Sequence, residues 1–144
     1  MTRKAYTGND VDVTFDAAAC VHCGFCTRGL PAVFDLQRRP WVLPDGAPAG
    51  QVIAQVEACP SGALQYVPKA GQPPEAPDDP PTAKAARDGP LYLRGDLTVT
   101  AADGSACRGT RFALCRCGQS ARMPFCDATH KKVGFRDPRP EGPI

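Results

Sequence analysis

The run ALCRCGQSARMPFCDATH, residues 113–130, sets Cys115, Cys117, Cys126 and His130 within sixteen residues. Two cysteines stand one residue apart, a third follows nine residues on, and a histidine closes the run. Zinc knuckles space their ligands as C-x2–4-C, so the one-residue gap between Cys115 and Cys117 is unusual for zinc. On a continuing strand the two thiolates are expected to face opposite ways, so both reach one metal only if the strand ends and turns there, which Gly118 allows. Cys126 and His130 are spaced i, i+4, one helical turn, and point the same way. Two ligand pairs, one from a loop and one from a helix start, suit two irons bridged by sulfide.

Working outward, eight cysteines in 144 residues need an explanation. A disulfide framework requires an oxidising compartment, whereas clustered cysteines in a cytosolic chain more often bind metal. The start, MTRKAYTGNDVDVTF, is basic but has no apolar run behind it, so it does not read as a secretory signal. No stretch is apolar for long enough to suggest a membrane helix. A cytoplasmic protein that binds metal is therefore expected. Net charge is +2 but unevenly spread. Residues 1–69 carry six basic and six acidic side chains, and residues 89–144 carry nine and five. The second half thus offers either an ordinary solvated surface or a docking face for an acidic partner. No basic run is interleaved with aromatics, so nucleic acid is not an expected partner.

Composition changes at PKAGQPPEAPDDPPTAKAARDGP, residues 68–90, where seven of 23 residues are proline. Such a segment buries too little apolar surface to fold and is expected as an extended, semi-stiff spacer. It separates a module of residues 1–69 from one of residues 89–144, with 70–88 as linker. Modules this small usually need a staple such as a metal, and each half has its own cysteine cluster. In the first, VDVTF (11–15) alternates like a strand, GQVIAQVEA (50–58) reads as a short amphipathic helix, and ALQYVP (63–68) as a closing strand. In the second, LYLRG (91–95), LTVTA (97–101) and RFALCR (111–116) read as strands, with ADGS as a turn. CDATHKK reads as a turn entering a helix capped by Asp127.

CVHCGFC places Cys20, Cys23 and Cys26 at two equal spacings, and EACPSGAL supplies Cys59 followed directly by Pro60. In bacterial ferredoxins three closely spaced cysteines hold one cubane cluster, and the fourth ligand is a remote cysteine followed by proline. Gly24 permits the close backbone approach that wrapping a cluster requires. Zinc held by four thiolates is the alternative, but two CxxC spacings sharing a middle cysteine suit a cube better. Residues 5–68, with CVHCGFCTRGLPAVFD, RPWVLP and EACPSGAL, resemble the divergent single-cluster ferredoxin-like domain family. The resemblance implies a [4Fe–4S] cluster on Cys20, Cys23, Cys26 and Cys59; loss of the ligand at Cys23 would favour a three-iron cluster. His22, between ligands, reads either as a proton relay or alternative ligand or as a loop histidine.

The pattern C-x-C-x2-S-x3-P-x-C-D-x2-H, within residues 89–135, resembles the CDGSH iron–sulfur family, the family of mitoNEET. That resemblance implies a [2Fe–2S] cluster with Cys115 and Cys117 on one iron and Cys126 and His130 on the other. The chain reads CDATH, so the turn must tolerate the Cβ of Ala128, while Thr129 retains a hydroxyl. Ser120 and Thr129 are expected to donate to the sulfurs or to serve plain loop roles, and Pro124 to fix the approach to Cys126. Many relatives of this type dimerise through swapped strands; homodimerisation here is open. Cys107 stands outside both ligand sets.

The fold class expected is α+β, a small ferredoxin-like module joined by a Pro-rich linker to a small β-rich CDGSH iron–sulfur module. The function expected is electron transfer between redox partner proteins, a reductase and an acceptor. No nucleophile–base pair, phosphate loop or substrate cleft is legible, so an electron carrier is expected and not an enzyme. The alternatives are a sensor or cluster-transfer protein using the His-ligated cluster, and a zinc-stabilised interaction module.

Overall fold

A computed structural model describes residues 3–69 and 71–137. Two three-stranded antiparallel sheets divide the chain, one in each half. The first contains β1 (Lys4–Tyr6), β2 (Val11–Phe15) and β3 (Leu64–Pro68), in the order β1-β2-β3. The alternation of VDVTF is realised directly. Val11 and Val13 are fully buried, while Asp12 points outward and pairs with Lys69 at 2.7 Å. Between β2 and β3 run a short helix α1 (Phe25–Gly29), a 3-10 turn (Pro44–Gly46) and helix α2 (Ala49–Glu57). Helix α2 is amphipathic, and Val52 and Val56, one turn apart, enter the core with Tyr6, Val33, Phe34, Val42 and Leu64. Trp41 closes this core edge-on against Phe15, with ring centroids 5.0 Å apart, a favoured aromatic geometry.

The second sheet contains β4 (Thr82–Ala85), β5 (Leu91–Thr100) and β6 (Ala106–Leu114), in the order β4-β5-β6. The two strands expected at 91–95 and 97–101 form a single strand broken by a bulge, where the register shifts between Arg94 and Leu97. Gly95 makes the bulge. Its φ is +147°, and a Cβ there would lie 2.8 Å from the Cβ of Pro81. Only glycine lets β5 bend past that proline. The turn at ADGS lies where it was expected, between β5 and β6. Beyond β6 a compact loop leads to the one-turn helix α3 (Thr129–Lys132).

Residues 71–88, read above as the spacer, lie along both modules. Glu75 bridges to Arg111 at 2.7 Å, Asp78 to Arg94 at 3.0 Å, and residues 82–85 add an edge strand to the second sheet. Pairing satisfies the open edge of β5 that would otherwise present bare backbone donors and acceptors.

A buried guanidinium helps to join the modules. The Arg111 side chain is 1% exposed. From β6 it donates to the carbonyls of Val56 at 2.8 Å, Cys59 at 2.7 Å and Leu64 at 2.9 Å, and to both oxygens of Glu75. Val56 O lies in the last turn of α2, which has unpaired carbonyls and the negative end of the helix dipole. A cation from the second module therefore caps a helix of the first. Arg94 adds a bond to Glu57 O at 3.0 Å.

Candidate metal centres

The first ligand set is drawn from two loops. Cys20 and Cys23 precede α1, Cys26 lies within it, and Cys59 follows α2. Gly24, at φ +78°, turns the chain into α1, and His22 holds φ +55°, a region that histidine tolerates better than most residues. The four cysteines ring one pocket, walled by Phe15, Trp41, Leu64 and Val21. Each thiol is free and partly buried. Among the described residues no three His, Cys, Asp or Glu side chains converge as the ligands of a single ion would.

The chemistry of this set fits a shared cationic group. Burial first, and then the neighbouring Cys59, Cys23 and Cys20, raise the Cys26 thiol to about 11. Cys20 is raised by burial and by Cys59 and Cys23, with relief from the His22 N–H, which donates to its sulfur at 3.3 Å. Thiolates this close oppose one another's ionisation, and bound metal removes that opposition. Ser61 was not foreseen. Its hydroxyl lies 3.7 Å from the Cys59 sulfur and accepts from the Ala63 N–H at 3.2 Å. The only signal was its place two residues after the ligand.

The second set is built by a backbone clasp. Cys115 N–H donates to Pro124 O and Cys126 N–H to Ala113 O, each at 2.8 Å, so residues 124–126 run antiparallel beside the end of β6. Contrary to the expectation that a turn is needed, residues i and i+2 of an extended segment share a face. The Cys115 and Cys117 sulfurs accordingly lie 3.7 Å apart, while Arg116 between them turns away to Gly89 O and Ala86 O, each at 2.7 Å. Gly118, at φ +77°, then turns the chain as expected. Cys126 Sγ lies 3.4 Å from His130 Nδ1 across the start of α3. Both residues are buried.

Burial would raise the Cys115 thiol, but bonds from the backbone N–H groups of Ser120, Gly118 and Cys117, with the Cys117 thiol, outweigh it and lower the value. Cys126 is raised by burial and by the charges of Cys115, Asp127 and Cys117, so all three thiols sense one another. Burial, and then Lys131, lower His130 and favour the neutral imidazole, which is the form that ligates metal.

One open choice is decided here and one expectation changes. The Ser120 hydroxyl donates to Phe125 O at 2.6 Å and the Thr129 hydroxyl to Asp127 at 2.5 Å, the plain loop roles among the two readings left open. The donors to sulfur are backbone N–H groups instead, including Ala128 N to Cys126 at 3.4 Å. Asp127 also does not occupy the N-cap position. Ala128 does, at φ +71°, while the Asp127 carboxylate accepts from the N–H groups of Thr129 and Ala121, each at 3.0 Å. A Cβ in the left-handed region costs roughly 1–2 kcal/mol. Ala128→Gly is expected to stabilise the second module by about 0.5–1 kcal/mol after the added freedom of the unfolded chain. Denaturant midpoints measure this, and a lower midpoint would mean that packing of the Ala128 methyl outweighs its strain.

Each of the two small modules clusters its own cysteines, and comparison with known sequences indicates iron–sulfur-binding domains. Residues 6–69 match the family described as divergent 4Fe-4S mono-cluster, and residues 88–131 the family described as iron-binding zinc finger CDGSH type. The protein YjdI of Escherichia coli strain K12 is 44% identical over 63 residues, covering 44% of this chain and 83% of YjdI. YjdI of Escherichia coli O157:H7 matches to the same extent. The chain belongs to the divergent 4Fe-4S mono-cluster family through its first module, which is followed by a CDGSH-type iron-binding domain.

Proposed function

We propose that the protein is a cytoplasmic electron carrier, not an enzyme, with a [4Fe–4S] cluster on Cys20, Cys23, Cys26 and Cys59. The same reading gives it a [2Fe–2S] cluster on Cys115, Cys117, Cys126 and His130. The observation that supports it is that four thiols line one pocket of the first module, while the second sets Cys115 beside Cys117 and Cys126 beside His130. When bound, such clusters supply one-electron oxidation and reduction. The residues around them do the rest. Trp41, Phe15 and Leu64 limit water at the first site. The backbone donors of residues 117–120 and Ala128 stabilise negative charge on the sulfurs of the second. Reductase and acceptor proteins are the partners this role requires. No helix among the described residues is long and apolar enough to cross a membrane, in keeping with the compartment proposed.

Iron and acid-labile sulfide analysis of anaerobically purified protein tests the reading. Both clusters together should be found, and zinc in their place would overturn it. Cys23→Ser tests the nuclearity of the first centre. That variant is expected to lose one iron and show the EPR signal of an oxidised three-iron cluster, with the second centre unchanged. The same signal in anaerobic wild-type protein would mean that Cys23 is not a ligand.

A further inference from the structure

The two ligand sets touch. Val21 lies between the ligands Cys20 and Cys23, is 3% exposed, and packs in one buried group with Ala113 and Cys126, a ligand of the other set. Cys23 and Tyr92 close over that group from the sides. Packed side chains bring their heavy atoms within about 4–4.5 Å. One valine therefore separates a loop carrying two ligands of the first set from a ligand of the second. A hydrogen bond crosses at the same place. Lys131, next to the ligand His130, donates from Nζ to the carbonyl of His22, again between Cys20 and Cys23, at 2.6 Å. A third tie lies beside it, where Arg122 Nη1 donates to Ala18 O at 2.5 Å.

These contacts are specific to the join. They tie the loop of residues 18–23 to the loop and helix of residues 122–131, and Arg111 fastens the same modules from the side of Cys59. Tyr92 packs against the same buried group, which holds Cys126 of the second set and is flanked by Cys23 of the first.

We propose that the seam of Val21, Ala113 and Tyr92, pinned by Lys131, couples the two sites into a single two-centre redox unit, so that an electron passes between them inside one chain. In that step the first centre gives up one electron and the second gains it; no bond forms or breaks and no proton is needed. The proposal rests on the reading that both sets hold iron–sulfur clusters.

The test is a potentiometric titration of the wild-type protein followed by EPR. Spin relaxation of the His-ligated centre is expected to quicken several-fold as the thiolate-ligated centre becomes paramagnetic at lower potential, with mutual line broadening in the fully reduced sample. Relaxation unchanged by reduction of the other centre would overturn the proposal. Tyr92→Ala, which opens the seam without removing a ligand, is expected to weaken the coupling at unchanged iron content, and full coupling in that variant would show that the seam does not carry it. Iron and sulfide counts separate the two claims: missing clusters defeat the proposed function, whereas two intact but uncoupled clusters defeat only this inference.

Discussion

Arg111→Met is expected to destabilise the chain by about 3–5 kcal/mol, the range for breaking a buried charge pair by removing one partner. The guanidinium makes its bonds at 2.7–3.3 Å with almost no access to water. Methionine fills much of the volume but donates nothing. The three carbonyls each lose a donor, those of Val56 and Cys59 keeping the N–H groups of Cys59 at 3.0 Å and Gly62 at 3.5 Å. The Glu75 carboxylate, 17% exposed, keeps a charge with Thr110 to bind it, at 3.0 Å. Unmet buried acceptors cost roughly 1–3 kcal/mol each unless water reaches them. Since whole domains are stable by only about 5–15 kcal/mol, such a loss is a large share of the total. Chemical denaturation followed by circular dichroism measures it. A loss below 1 kcal/mol, an order-of-magnitude threshold set by exposed pairs, would mean that the guanidinium is solvated. Adding Glu75→Met to Arg111→Met should recover part of the deficit, because the stranded charge goes with it.

The second large effect is on potential. In His130→Cys, a thiolate replaces a neutral imidazole and brings one more negative charge to a site where Cys115, Cys117 and Cys126 already sense one another. Adding an electron to a more negative cluster is harder, so the midpoint must fall. Rieske centres, with two histidines, lie several hundred millivolts above all-thiolate [2Fe–2S] ferredoxins, so one exchange should lower the midpoint by on the order of 100 mV or more. Lys131 adjoins the position and tempers the change. In the parent protein the His-ligated centre should be reduced first, and the variant should narrow or reverse that order. A midpoint that stays put would mean that His130 is not a ligand.

Much of both sites is legible because their chemistry is local. The two-residue step from Cys115 to Cys117 and the four-residue step from Cys126 to His130 bring ligands together through backbone geometry alone, before any tertiary contact is considered. The strand at 11–15 and the helix near 50–58 follow from apolar periodicity for the same reason. What escapes such a reading depends on distant partners. Arg111 looks like a surface charge within RFAL, and only the fold brings it to carbonyls 47, 52 and 55 residues away. Glu75 looks like part of a solvated linker until that arginine is buried against it. Gly95 reads as a strand end, because nothing local announces that Pro81 will press against it. The hydroxyls of Ser120 and Thr129 turn to nearer acceptors, Phe125 O and the Asp127 carboxylate, a competition that composition does not reveal.

The Arg111 contact also sets a clock during synthesis. Cys59 leaves the ribosome 52 residues ahead of the arginine that will hold its carbonyl. At about 5–20 residues per second, the nascent first module spends roughly 3–10 s before Arg111 can reach the carbonyls of Val56, Cys59 and Leu64. A homologous module makes up most of YjdI, so this half has the material to fold while it waits. Docking of the second module then closes over the Cys20–Cys23 loop from one side and clamps Cys59 from the other. Whatever the four cysteines of the first module are to hold would meet a different surface before and after that docking.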